Sequence, residues 1–462
     1  MINREAVREY TTGSLWVLPG ASAVAALLVG FAVSHVDVGP GSALAPLAFQ
    51  GTADDARGLM ISITGTVVTV IALVLGLTVV ALQLSSTQFS PRLLRNFLRD
   101  RPNQVVLSTF VATFVYTAAG LYTVGVLGST RTEEFPRLAV SGALLLMFVS
   151  LGMVVYYADH LAHSVQVDAI AKRVESSTLR VVHGHLGSVE QPAPVPPAWA
   201  VPIPAHASGY LQTVHPEQLL PAASRHHLHI RLRVRVGEHV VAGTVLGWMW
   251  TPTADDPAPD PAAFAPSIQR AVRIGFERTQ EQDAAFGIRQ LVDMACKALS
   301  PAVNDPYTAV QAVDHLSVIF CAMAVRPLGD DVARDPTGTG VVIVPARRFG
   351  DYLGTMCGLI RRYGSSEPTL TTALLRLLTN CAAVLPDDRD RWIALDEQAD
   401  LIVADATRDT AQPADLAQVQ AASDQLKAII AENLSKKADS RLQRGPARRA
   451  RRHTQRESPP MT

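Results

Sequence analysis

The sequence predicts an α-helical membrane protein: four transmembrane helices followed by a cytoplasmic α+β region, made of a small β half-barrel and a helical domain. Three observations carry that reading. The first third of the chain is a near-continuous series of uncharged apolar spans, and the basic clusters after spans two and four fall on one side of the implied membrane. Beyond residue 204 the apolar pattern changes from a helical period to strict alternation, then returns to a helical period.

With 462 residues the chain exceeds one ordinary domain, and its 48% hydrophobic content and zero formal net charge matter less than how they are distributed. The predicted division is 1–158 for the membrane domain, 159–204 for a cytoplasmic helix and Pro-rich linker, 205–250 for a small β domain, 262–433 for a mainly helical domain, and 434–462 for a disordered basic tail. Cys296, Cys321, Cys357 and Cys381 all fall in the C-terminal part without a Cys-x-x-Cys pair, which reads as reduced core thiols rather than a disulfide or metal framework.

The first span, 15–34, has an apolar run longer than the roughly 7–15 residues of a signal sequence and is followed by three more, so it reads as an uncleaved anchor. Residues 36–58, rich in Gly, Pro and Asp with Arg57 the one basic residue, read as a translocated loop. Span two, 59–84, has no charge and exceeds the roughly 20 apolar residues a bilayer core requires. Spans three and four follow at 104–127 and 138–157. Arg92, Arg95, Arg99 and Arg101 after span two, and Lys172, Arg173 and Arg180 after span four, assign those segments and both termini to the cytoplasm.

Span two carries Ser62, Thr66, Thr69, Gly76 and Gln83 at helical spacing. Small and hydroxyl side chains of this kind serve close helix packing or interhelical hydrogen bonds in lipid, and equally a water-filled path. The run Gln88-Phe89-Ser90-Pro91-Arg92 then opens a short helix, with Ser90 as N-cap and Pro91 in the first turn. Its apolar and basic faces suit the headgroup boundary, and a plain cytosolic linker is the alternative. No span holds an Asp, Glu, Lys, Arg or His, which argues against a proton-coupled carrier but not against a channel of hydroxyl, backbone and apolar groups.

Residues 159–187 continue as a helix, and 189–204 form a proline-dense linker. Residues 208–214 and 227–236 alternate as half-buried strands do. Residues 236–246 resemble the hairpin of biotinyl- and lipoyl-type domains, but no lysine lies between Lys172 and Lys297, so the likeness is structural and implies no cofactor. His215, His226, His227, His229 and His239 cluster here; only His227 and His229 share a strand face, no carboxylate or cysteine completes a set, and surface histidines without metal are expected.

After a second linker, 251–261, residues 283–299 read as a helix with an Asp293–Lys297 pair, stopped by Ser300-Pro301. Asp305 caps the next helix, with Pro306 at its first position. Arg278, Asp283, Asn304, Asp305 and Thr308 are candidates for a small-ligand site; the alternative is a well-capped helix–turn–helix. One strand at 341–344 and helices near 347–362, 369–384, 390–408 and 413–433 complete the fold. The basic tail has the charge to contact anionic lipid, and it lacks the folded reader and aromatic interleaving of a nucleic-acid partner.

Two stretches carry a family resemblance: residues 88–94, and residues 283–309 with Ala298-Leu299-Ser300-Pro301-Ala302-Val303-Asn304-Asp305-Pro306 at their centre. With four spans ahead of a soluble part, the chain resembles, over about residues 14–433, the predicted bacterial membrane proteins grouped as domain of unknown function 2254. The resemblance implies an inner-membrane location and this layout, and implies no activity. Enzyme signatures are missing: no phosphate loop, dinucleotide fingerprint, nucleophile elbow or His-Glu-x-x-His occurs. The leading expectation is an oligomeric channel or channel-like transporter, with a cytoplasmic regulatory domain and the lipid bilayer and further copies of itself as partners. The alternative is a non-transporting scaffold or sensor whose helical domain binds a partner or small ligand.

Overall fold

The computed structural model describes residues 16–36, 45–88, 101–124, 135–164, 166–185, 193–386 and 388–453, with the side chains of 84–88, 123–124, 164 and 436–453 left aside. The chain separates into two compact units, Met1–Ile170 and Ala171–Thr462.

The first unit holds four long helices: α1 (Val17–Ser34), α2 (Ala53–Gln88), α3 (Arg101–Val124) and α4 (Arg137–Ser164). Thr52 and Asp55 open α2 reciprocally: the Asp55 carboxylate accepts from the Thr52 amide (2.9 Å) and the Thr52 hydroxyl accepts from the Asp55 amide (3.3 Å). Its packed face is Ala56, Met60, Ile63, Val67 and Val74, which meet Val106, Phe110 and Tyr116 of α3 and Val140, Ala143 and Tyr157 of α4. Hydroxyl pairs cross the interior, Thr64 to Thr117 at 3.2 Å, Thr113 with Ser150 at 2.9 Å and Thr78 with Tyr157 at 2.5 Å. In lipid such pairs add specificity to a core that has no water to expel. Arg137 donates to the carbonyls of Phe49 and Gly51, tying the start of α4 to the segment before α2.

The second unit begins with α5 (Val167–His185), most of which lies beyond the unit boundary. Then come β1 (Val201–Pro204), β2 (Gly209–Val214), α6 (Pro216–Arg225), β3 (His229–Leu232), β4 (His239–Val240), β5 (Val245–Trp250), α7 (Pro261–Ala271) and β6 (Val272–Gly275). After them run α8 (Ala284–Ala298), α9 (Pro306–Ala324), β7 (Asp331–Arg334), β8 (Val341–Val344), α10 (Phe349–Tyr363), α11 (Pro368–Val384), α12 (Arg389–Asp409) and α13 (Pro413–His453). Helix starts repeat one device, an acidic cap before a proline whose missing N–H costs nothing: Asp260-Pro261, Asp305-Pro306 and Glu367-Pro368.

The strands form a five-stranded sheet, β1-β5-β3-β8-β7, and a three-stranded sheet, β4-β2-β6. All pairings are antiparallel except β3–β8. Ile203, Leu211, Ile230, Leu246, Met249 and Val342 fill the space between the sheets together with Leu219 of α6 and Ile268 of α7. The 205–250 segment, expected as a half-barrel by itself, is thus shared between two sheets that also take strands from 201–204, 272–275 and 331–344. Alternation within one segment carries no information about a parallel partner more than 100 residues away.

The last helix, α13, continues in backbone to His453.

Among the described residues five helices are long and apolar enough to cross a membrane by length and composition: α1 to α4 and α9. The fifth has a mean hydropathy of 1.2 and half of it is buried within the second unit. It carries Asp314, paired with Arg376 at 2.6 Å, and His315, paired with Glu175 at 2.5 Å.

Candidate functional site

Two places collect polar groups in a way the fold alone does not require. The first is the outward side of α2. At about 100° per residue, Ser62, Thr66, Thr69, Gly76 and Gln83 share about 100° of arc, centred roughly 140° from the buried face of Ala56, Met60, Ile63 and Val67. All five are exposed. The three hydroxyls donate to the carbonyl one turn back, at 2.8 Å (Ser62 to Gly58), 2.8 Å (Thr66 to Ser62) and 3.0 Å (Thr69 to Gly65). A Cβ added at Gly58, Gly65 or Gly76 would meet nothing within 4 Å. Among the described residues, Ser62, Thr66, Thr69 and Gly76 thus lie off the packed face of α2. Of the motif that follows it, Gln88 closes the α2 backbone, while Phe89, Ser90, Pro91 and Arg92 lie outside the described residues.

The second place is a cavity of about 220 Å³ in the second unit, lined from β2, α6, β8 and the starts of α8 and α10. Asp283 is its buried anchor. The carboxylate caps α8 by accepting from the Phe286 amide (3.2 Å), and Oδ2 takes both Nε and an Nη of Arg278, at 3.0 and 2.6 Å. Arg347 stands 3.6 Å from Oδ1 and donates to the Val236 carbonyl at 3.0 Å. Gly237 has a φ of +86°, and any Cβ there would occupy the space of the Asp283 carboxylate. The turn needs glycine for conformation and for room. Beside this cluster Arg235 pairs with Asp351 at 3.1 Å. Tyr352 is 4% exposed, and burial pushes its phenol up to about 12.

The same cavity is also lined by Glu217, Asp331, His185 and His215. His215 lies 3.1 Å from the Glu217 carboxylate. Burial and the neighbouring Glu217 raise the Asp331 carboxyl, against the opposing pull of His185.

The five candidates from the sequence do not share this site. Arg278 and Asp283 pair at the N-terminus of α8, whereas Asn304, Asp305 and Thr308 lie past its C-terminus, one helix length or about 22 Å away for its 15 residues. There Asp305 accepts from the Thr308 amide (3.1 Å) and hydroxyl (2.6 Å), which hold its carboxyl below the ordinary range. Asn304 takes a left-handed φ of +50°, a conformation asparagine tolerates better than most residues. That end is a capped helix–turn–helix. Asp293 is engaged by Arg289, one turn before it, at 3.2 Å.

The histidines have separate settings. His226 packs edge-on to Phe264 and His239 to Tyr210, and His227 adopts a φ of +52°. His229 is packed against Trp250, with burial and Arg334 lowering its pKa. Among the described residues no group of three or more His, Cys, Asp or Glu is placed to hold a metal. Sequence reasoning missed Arg235, Arg347, Tyr352, Glu217 and Asp331. The available signal was the Arg347-Arg348 pair ahead of an amphipathic helix, beside a Val-Gly-Glu turn whose glycine had to be explained.

Apolar helices of bilayer length, together with a separate α+β unit, define the class as a membrane protein. The chain belongs to the predicted membrane protein family DUF2254, whose model matches residues 12–380. Among its relatives are the uncharacterized proteins Mb1321c of Mycobacterium bovis and Rv1290c of Mycobacterium tuberculosis. Each is 43% identical over 442 residues, covering 93% of this chain and 83% of the relative. No solved structure matches the chain.

Proposed function

We propose that this protein is a homo-oligomeric channel or channel-like transporter of the bacterial inner membrane, with α2 nearest the axis and the second unit as its cytoplasmic regulator. The observation that supports the reading is the polar stripe of α2, whose Ser62, Thr66, Thr69 and Gly76 point away from the buried face of Ala56, Met60, Ile63 and Val67. A stripe of glycines and back-bonded hydroxyls costs little to desolvate and permits close approach of a second helix. It also offers water a row of small polar groups. In this reading α1 to α4 span the bilayer and α9 does not, because Asp314 and His315 are already paired within the second unit. The arginines after span two and the bases after span four support a cytoplasmic side for both termini in this reading. The basic C-terminal segment then lies where anionic headgroups attract it.

Purified protein reconstituted in planar bilayers is expected to pass ions, and Thr66 or Gln83 substitutions to change the unit conductance. Bilayers that stay silent across salts, voltage and tension would overturn the proposal. A second reading, a non-transporting sensor, is favoured by one specific observation, the polar-lined cleft of the second unit. Ligand-dependent stabilisation in a protein that conducts nothing would select it.

A further inference from the structure

The two faces of the five-stranded sheet are covered in different ways. Ile203, Ile230, Met249 and Val342 belong to the main core of the second unit. Alternation along the strands turns Arg231, Trp248, Trp250, Val341 and Ile343 to the opposite face. There Trp250, Val341 and Ile343 form a small core of their own, only 3%, 0% and 0% exposed, with Trp248 of β5 and Val332 of β7 packed beside it. Among the described residues the hydrophobic groups that reach this core from outside the sheet are Ala193 and Ala200. They are the two ends of an eight-residue segment that is neither helix nor strand.

The sequence dictates the form of this strap. Pro194, Pro196 and Pro197 fix their own φ, and each holds the residue before it in an extended conformation, so 193–197 is confined to polyproline II and its neighbourhood. A chain of that form makes no internal hydrogen bonds and leaves its carbonyls to other donors. Two hydrogen bonds tie the strap down, both from side chains. Arg231 donates to the Pro194 carbonyl at 3.2 Å, and the Trp199 indole to the Thr251 carbonyl at 3.3 Å. Among the described residues no backbone amide of 193–199 donates to the sheet. Arg231 is itself fixed, its other Nη on Asp330 at 2.7 Å, so the donor stays aimed whether or not the strap is seated.

We infer that this face of the sheet is a binding site for proline-rich segments in polyproline II form, and that residues 193–200 are its built-in occupant, displaced when a partner of the same chemistry binds. An aromatic floor with a fixed donor to the ligand's carbonyls is the general means by which such segments are held, and their preformed shape loses little entropy on binding. Trp248 and Trp250 supply the floor here and Arg231 the donor. The cover is suited to leave. It shares no backbone ladder with the sheet, and the sheet keeps its other face in the main core when the strap lifts. Because the strap is covalently tethered, it competes at an effective concentration of about millimolar or above, and the apparent affinity for a partner is reduced by the fraction of strap that is seated. The inference concerns the second unit alone and is independent of conduction and of the cavity beside Asp283.

The test is fluorescence anisotropy of a labelled peptide with the sequence of residues 192–200, titrated with the full-length protein in micelles. A control peptide carries glycine at its four proline positions. The strap is loosened in the protein by the triple change Pro194→Gly, Pro196→Gly and Pro197→Gly, which leaves the floor and Arg231 untouched. The loosened protein is expected to bind the proline peptide about tenfold or more tighter than the unaltered chain does, and the control peptide no better than the unaltered chain does. Adding Arg231→Lys, which keeps the charge beside Asp330 but gives up the second donor, is expected to weaken that binding about fivefold or more. Should the triple variant melt early, Trp199→Phe loosens the strap by one hydrogen bond and is expected to tighten binding about threefold. A folded loosened protein that binds the proline peptide no better than the unaltered chain overturns the inference. So does equal binding of the control peptide, or an affinity unchanged by Arg231→Lys.

Discussion

Gly237→Ala tests whether the turn after β3 is built around the Asp283 carboxylate. The substitution meets two obstacles. The φ of +86° is unfavourable for an L-residue, which costs about 1–2 kcal/mol. The new Cβ also displaces Asp283 and stands 2.9 Å from an Nη of Arg278. Breaking a buried ion pair costs about 3–5 kcal/mol, reduced here to about 2–3 because the Arg278 side chain is 24% exposed and rehydrates in part. The total is about 3–5 kcal/mol. Asp283→Ala alone loses the same pair and the α8 cap, and is expected to cost about 3–4 kcal/mol. In the double variant the displaced group is no longer present, so only the backbone strain of Gly237→Ala remains. A coupling of about 2 kcal/mol is therefore expected between the two changes. Urea-dependent proteolysis of the full-length protein in micelles measures it. Additivity within about 0.5 kcal/mol would refute the argument that the glycine exists to make room for the carboxylate.

Other expectations follow from contacts elsewhere in the second unit. Burial raises the Glu175 carboxyl, but Lys172 at 2.6 Å and His315 at 2.5 Å outweigh it and hold the group below its ordinary value of 4.5. The folded state thus binds the proton less readily than the unfolded state. Its contribution is complete above pH 4.5 and is lost as pH falls through the lower folded value. An acid-melting series should show Glu175→Gln removing part of that slope, and an unchanged slope would count against the pair. A Cβ on Gly287 would meet the Thr178 hydroxyl and stand 2.6 Å from Gln280 Nε2, so Gly287→Ala is expected to cost about 1–3 kcal/mol by prising α5 from α8. Thr178→Ala should recover part of that loss in the same melting assay, and a full loss in the double variant would contradict the contact. Burial pushes the Cys357 thiol up to about 12, so a maleimide at neutral pH should label it only on unfolding. Prompt labelling of the folded protein would show that site to be open.

The membrane-length helices were legible because hydropathy over 20 residues needs no tertiary information. The cap at Asp305 was equally legible, since an N-cap is read within four residues, whereas Asp283 was counted into the helix that it in fact caps. What the sequence did not disclose is where those local features go. Arg278 and Asp283 were singled out together with Asn304 and Thr308 because the four lie within one distinctive stretch. The intervening helix α8 then carries the two halves to opposite ends of its length. Tyr352, Arg235 and Asp331 come from three separated segments, and only the joining of β8 to β3 in parallel brings them to one cavity. Glu175 and His315 meet across 140 positions, a distance at which pattern says nothing. For α2 the hydroxyl stripe was visible as a stripe, while the side it faces became clear only from the packing of Met60, Ile63 and Val67.

Conduction as proposed requires that stripe to line a water-filled axis. Single cysteines placed at Thr66, on the stripe, and at Val68, 48% exposed but off it, give the most direct test when conductance is followed in planar bilayers with a water-soluble thiol reagent. The proposal predicts conductance that falls on modification of Thr66→Cys and is untouched for Val68→Cys. Equal responses at the two positions, or no conductance in either, would contradict it.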